Sequence, residues 1–134
     1  MAQREIKFRA WLEYYQEKGF IDEFDINQDG VVFINVFGEE EMYPVDSKRV
    51  TLEQYAEMYG EEDISIYDGD VIKVWDNGIG QVVFENGVFK VDFKDGRKYP
   101  LELWWQDFIS GKAPDNPYKV LGNIHENPEL LEAE

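Results

Sequence analysis

The sequence predicts a mainly β fold, α+β at most, in which short antiparallel strands curl into a small barrel. Two observations carry this expectation. Asx-Gly pairs punctuate the chain, among them Asp29-Gly30, Asn77-Gly78, Asn86-Gly87 and Asp95-Gly96. Such pairs accept the positive φ angles of type I′ hairpin turns, and the last three are spaced nine residues apart. Between them, apolar and polar residues alternate with period two, the mark of strands with one buried face.

In order along the chain, KFRAWLEYY reads as a strand with Phe8, Ala10, Leu12 and Tyr14 on one parity. QEKG at 16–19 reads as a turn, GFIDEFDI as the returning strand, and VVFINVF as another strand after Asp29-Gly30. TLEQYAEMYG predicts a helix: Leu52, Tyr55, Ala56 and Tyr59 fall at helical spacing, Thr51 and Gln54 have capping-box spacing, and Gly60 follows as terminator. GEEEMY and YGEEDI read as solvated loops.

Residues 70–103 predict a four-stranded meander. Phe89, Val91 and Phe93 face one way against Lys90, Asp92 and Lys94, and Tyr99, Leu101 and Leu103 repeat the pattern. Meanders of short, twisted strands commonly close into small barrels. Pro100 donates no ladder hydrogen bond, which places its strand at an edge or a bulge. WWQDFISGK predicts a short helical turn and YKVLGNI a last strand. Asn127 and Pro128 then suit the start of a terminal helix.

At 134 residues the chain is expected to form one compact domain, with N-terminal strands and a short helix over 1–60 and the barrel with a C-terminal turn over 61–134. The 43% hydrophobic and 16% aromatic shares are those of a folded protein. No cysteine is present, which excludes disulfides and thiolate chemistry. The opening MAQREIKF puts charges where a signal peptide needs apolar residues. No apolar run approaches the roughly 18 residues of a membrane span, so a cytoplasmic location without membrane attachment is expected. Net charge is −16, from 29 acidic and 13 basic residues. Such a surface repels phosphate backbones, so direct nucleic-acid binding is not expected unless the few basic residues cluster.

Three stretches together resemble the YopX-like proteins of bacteriophages and prophages: REIKFRAW at 4–11, IYDGDVIKV at 66–74 and YKVLGNIHENPELLE at 118–132. The resemblance spans nearly the whole chain. It implies an SH3-like barrel, a phage or prophage origin and action in the bacterial host cytoplasm, and it brings no catalytic residues. The chain departs from the family pattern at EQYAEMYGEEDISIYDGD, before the central motif, and in carrying His125 where an aromatic is usual. In the central motif, Gly69 permits a tight turn and Asp70 can bond neighbouring amides before Val71 starts a strand.

Catalytic chemistry finds little footing. His125 is the sole histidine, and Ser47, Ser65 and Ser110 stand outside any nucleophile elbow. Among so many acids, pairs such as Asp68 and Asp70 arise by number alone, and no cofactor is implied. Aromatic residues are the better candidates. Trp75 ends a strand, while Trp104 and Trp105, if extended, face opposite ways so that one is exposed. Together with Tyr67 they are the candidate partner-binding residues. The expected role is therefore a non-enzymatic phage accessory protein that binds a protein partner, with basic partners favoured by charge and homo-oligomers still open. An acidic nucleic-acid mimic that inhibits a DNA-binding protein is the alternative.

DINQDGVVF opens like an EF-hand loop, but position 9 is Phe33 and position 12 is Val36, where a bidentate glutamate is required. The flanks alternate as strands, so the segment reads as an Asp-Gly hairpin and no metal site is expected. Calorimetric titration with calcium should show no heat at micromolar protein; a tight isotherm would overturn this.

Overall fold

The computed structural model describes residues 7–14, 17–21, 25–26, 31–36, 39–44 and 50–132. They divide into two compact units, one over 7–54 and one from Tyr55 onward. All strand pairings among the described residues are antiparallel.

In the first unit, β1 (Phe8–Tyr14) pairs with β2 (Glu17–Ile21) in register from Tyr14↔Glu17 to Ala10↔Ile21. The turn expected at 16–19 is therefore shifted: Glu17 to Gly19 already belong to the returning strand, and the connecting residues 15 and 16 lie outside the described residues. Ala10 and Trp11 are buried, and Trp11 meets its cross-strand neighbour Phe20 edge-on at 5.0 Å. β3 (Asp25–Ile26), β4 (Val31–Val36) and β5 (Glu39–Pro44) form a separate sheet in that order. Asp29-Gly30 lies outside the described residues, but the strands on either side pair, with Ile26 opposite Val32. The acidic GEEEMY segment, expected as a loop, is mostly β5, because its backbone completes the ladder of the apolar VVFINV strand.

The helix expected over 51–59 is instead a ten-residue strand, β6 (Val50–Tyr59). Its first half pairs with β1, where buried Glu53 accepts a 2.8 Å hydrogen bond from Arg9, its register partner. Its second half pairs with β7 (Ser65–Tyr67). Glu57, at φ 63°, forms a bulge that shifts the register between Tyr55 and Tyr59. Ladder bonds to two partners outweigh a helical preference of a few tenths of a kcal/mol per residue, on the order of what propensity supplies.

In the second unit a five-stranded sheet curls into a half-barrel. It comprises β8 (Asp70–Val74), β9 (Gly78–Glu85), β10 (Val88–Phe93), β11 (Lys98–Pro100) and β12 (Tyr118–Asn123), in the order β11-β10-β9-β8-β12. The meander is as expected, except that its last strand stops at Pro100. Leu103 lies in the helix α1 (Glu102–Ile109), and a second, one-turn helix, α2 (Glu129–Glu132), ends the fold. β11 is an edge strand, as Pro100 requires. The Leu101 N–H reaches inward to the Phe89 carbonyl at 2.9 Å, so the alternate position, Pro100, faces away from the ladder.

The Asx-Gly pairs make different turns. Asn86 (φ 52°) and Gly87 (φ 79°) both take left-handed values, as a type I′ turn demands. At Asp95-Gly96 only the glycine does. Before Gly78 the turn is displaced two residues earlier, and Trp75 at φ 37° takes the left-handed position while the Asn77 N–H closes it on the Val74 carbonyl. In the central motif, Gly69 is left-handed and buried Asp70 accepts 2.8 Å from the Tyr67 amide, both as expected. Asn127 faces backward: its Oδ1 accepts from the Asn123 amide rather than capping α2.

Inside the half-barrel, Ile66, Ile72, Val74, Val82, Val91, Phe93 and Leu101 form the core with Tyr118. Tyr118 is fully buried, and its hydroxyl donates to the Leu101 carbonyl at the start of α1. Gly80 sits where the β9 backbone crosses β10 so closely that a Cβ would lie 2.6 Å from the Asp92 carbonyl oxygen.

Two stability measurements check this packing. Gly80→Ala should destabilise the fold by about 1–3 kcal/mol in urea denaturation, since backbone rather than a flexible side chain must yield. Burial pushes the Tyr118 phenol above its ordinary value of 10.0, with the Trp105 amide opposing and the Glu102 carboxylate adding to the rise. Below that ordinary value both states hold the proton; above it only the unfolded chain releases it, so stability falls as pH rises. Tyr118→Phe should flatten that alkaline loss, by up to about 1.4 kcal/mol per pH unit, relative to the parent chain.

Candidate functional site

The ELWWQDFI stretch forms a helix because the edge strand ends at Pro100 and Leu101 already has helical angles (φ −61°, ψ −35°). Successive side chains on a helix diverge by about 100° rather than 180°. Trp104 and Trp105 can therefore both lean on the core, contrary to the expectation that one is turned away. Trp104 meets Phe93 and Tyr99 edge-on at 6.0 Å each. Trp105 stacks on Tyr118 at 6.1 Å and meets Tyr59 edge-on at 5.0 Å. Both tryptophans are half-buried.

Beside Trp105 lies a groove of about 410 Å³ with both apolar and polar lining. Met58 of β6, Phe84, Val88 and Phe89 of the β9–β10 hairpin, and Ile109 of α1 form its walls with Trp105. The type I′ turn explains the hairpin side: Phe84 and Phe89 are register partners with ring centroids 4.6 Å apart. They continue the parity of buried Val82 and Val91 beyond the end of the core. Phe84 is left 44% exposed, Val88 43% and Ile109 54%, a cluster well above isolated surface apolar residues. The ionisable residues lining the groove are Glu57 and Glu102, the latter accepting 2.8 Å from Gln106.

Trp75 lies elsewhere, in a cleft of about 650 Å³ with Lys73, Asp76, Pro114 and Lys119. Its left-handed backbone, worth about 1–3 kcal/mol of strain for a bulky residue, is tied down by a 2.9 Å bond from its N–H to the Pro117 carbonyl. Tyr67 is half-buried with its ring 5.7 Å from Tyr55, and it lines neither depression. Trp104 lines neither as well. The four candidate residues thus do not converge: the groove takes Trp105 and the cleft takes Trp75. Phe84, Val88, Met58 and Ile109 were not anticipated. A signal existed for the hairpin pair, whose core-facing parity runs into a solvent-exposed turn.

Two of the motif stretches become neighbours. β8 and β12 pair, placing buried Asp70 opposite buried Asn123. Asn123 Oδ1 accepts from the His125 and Glu126 amides at 2.9 Å, and its Nδ2 donates to Glu126 Oε1. The Ile124 N–H closes on the Gly69 carbonyl at 2.9 Å. These polar residues hold two turns together. Among the described residues no group of three or more His, Cys, Asp or Glu is arranged to hold a metal ion.

Comparison with known proteins follows the same outline. The chain resembles the crystal structure of protein EF1440 from Enterococcus faecalis with a TM-score of 0.58 at 21% identity, covering 96% of this chain and 99% of that one, a likeness of fold. With YopX from Bacillus subtilis the TM-score is 0.47 at 20% identity, over 95% and 96% of the two chains. A shorter stretch of 49 residues, 37% of the chain, is 43% identical to acyl carrier protein AcpXL of Brucella melitensis; the chain spans about half, 53%, of that relative's length. The family model described as YopX protein matches residues 7–132, nearly the full chain, and this protein belongs to the YopX family.

Proposed function

We propose that this protein is a non-enzymatic accessory protein of phage or prophage origin, built on an SH3-like barrel, that binds a protein partner in the bacterial cytoplasm. The observation that carries the reading is the groove beside Trp105, with Phe84, Val88 and Ile109 exposed along it. Aromatic and aliphatic side chains around a half-buried tryptophan are the usual composition of an interface hot spot. Acidic residues alone among ionisable types line it, which favours a partner segment with apolar anchors flanked by Lys or Arg. The same charge disfavours a second copy of a chain carrying −16. The five-stranded curled sheet with its short, tightly turned strands supports the barrel assignment.

The second reading, an acidic mimic of nucleic acid, rests on the net charge alone. One pull-down from host lysate separates the two. A groove binder captures one partner that survives moderate salt, and Phe84→Ser or Ile109→Ser weakens it by about thirtyfold. Both side chains are largely exposed, so these variants should keep the parent melting temperature. A mimic captures several DNA-binding proteins, releases them with moderate salt and ignores both substitutions. Capture of nothing by either route would sink both readings.

A further inference from the structure

Three features meet in the Trp75 cleft, and groove binding explains none of them. Lys73 of β8 and Lys119 of β12 are register partners, directly opposite on an antiparallel pair. Their Cβ atoms are therefore about 5 Å apart on one face, an arrangement that is repulsive without an anion between the two ammonium groups. In a chain with 29 acids, neither forms an ion pair among the described residues. By contrast Lys98 and Lys90 both reach Glu85, and Arg97 pairs with Asp95 at 2.6 Å. The second feature is the left-handed backbone of Trp75, a conformation that a bulky residue adopts only when its surroundings impose it. The third is size: about 650 Å³ lies within the range of small-ligand sites.

We infer that this cleft binds a nucleoside phosphate, with the base on the Trp75 ring and the phosphate between Lys73 and Lys119. Asp76, Asp115 and Glu61 also line the cleft. Carboxylates repel a phosphate but accept hydrogen bonds from sugar hydroxyls and exocyclic amines, so the mixed lining suits a ligand with an anionic end and a donor-rich end. An indole supplies a stacking face for any base, and two lysines supply charge-assisted bonds to a phosphate. Lys73 also lines a neighbouring cleft of about 390 Å³ with Lys94 and Arg97. The nucleotide can therefore be free in solution or part of a single strand that continues over that second cleft.

The test is calorimetric titration with AMP, inorganic phosphate and a short oligothymidylate. AMP should bind saturably, and Lys73→Gln and Lys119→Gln should each weaken it about tenfold or more. Both lysines are exposed, so the fold should survive. Trp75→Asn keeps a residue that tolerates the left-handed turn while removing the ring, and should abolish discrimination between AMP and phosphate. If oligothymidylate displaces AMP and Lys94→Gln weakens only the oligonucleotide, the ligand comes from a strand. If it fails to displace AMP, the ligand is a free nucleotide; either result upholds the site. The inference is overturned if AMP does not saturate at millimolar concentration, if phosphate binds the parent chain as tightly as AMP, or if both lysine variants bind AMP unchanged.

Discussion

A buried phenol organises the second unit. The Tyr118 hydroxyl is fully buried and needs a hydrogen-bond partner, and the carbonyl of Leu101 is that partner. The bond ties β12 to the residue just before α1, although 17 positions separate Tyr118 and Leu101 in sequence. The flat face of the same ring carries Trp105. One residue earlier, the Pro117 carbonyl holds the amide of Trp75, and Asn116 bridges from the Tyr118 amide to the Tyr59 carbonyl. The Asn116–Tyr118 segment therefore sets the position of both tryptophans that line a depression. Neither the groove nor the cleft can be repacked without disturbing it.

The half-barrel was legible because its signals are local. Alternation over Phe89, Val91 and Phe93, a type I′ pair at Asn86-Gly87 and a proline that must face outward each constrain the few residues around them. The helix expected at 51–59 shows where local reading ends. Leu52, Tyr55, Ala56 and Tyr59 fit a helical stripe, yet the segment is a strand interrupted by an irregularity between Tyr55 and Tyr59. What decides between the two is the presence of β1 and β7 as partners, and β1 lies far away in sequence. Over WWQDFISGK the expected helical turn does form, and only the extended-chain reading of the Trp104 and Trp105 directions fails. Asn127 looked like a helix cap because its type and place were right, yet Gly122 leaves room for its side chain to turn back onto the Asn123 amide. Of the site, the aromatic types were readable and their grouping was not, since grouping depends on which strands lie side by side.

Charge is distributed less evenly than its total suggests. Several of the cations within the second unit are committed to carboxylates: Glu85 holds the Lys98 ammonium above its ordinary pKa, and the Arg97 amide holds Asp95 below its own. Exposed pairs of this kind add little stability. What they do is neutralise charge locally along β9 to β11. Lys73 and Lys119, facing each other across β8 and β12, are among the cations of this unit without an ion pair to a described residue. Acidic residues border the groove beside Trp105, whereas the cleft presents both signs. The two depressions are thus chemically distinct, and a single ligand class would not suit both.

The outward-facing nitrogen of Pro100 bears on how this protein behaves at high concentration. An exposed sheet edge invites another chain to add a strand, and repeated addition builds fibres. Here the outermost strand is only three residues long, and its last position, Pro100, offers no N–H. Immediately afterward the chain turns into a helix, so this edge extends no further. Lys98 adds a charge at the other end of the same strand. The cost of that arrangement falls on the ladder, which loses length at its margin. The return is a β11 edge that offers a neighbouring strand little to pair with.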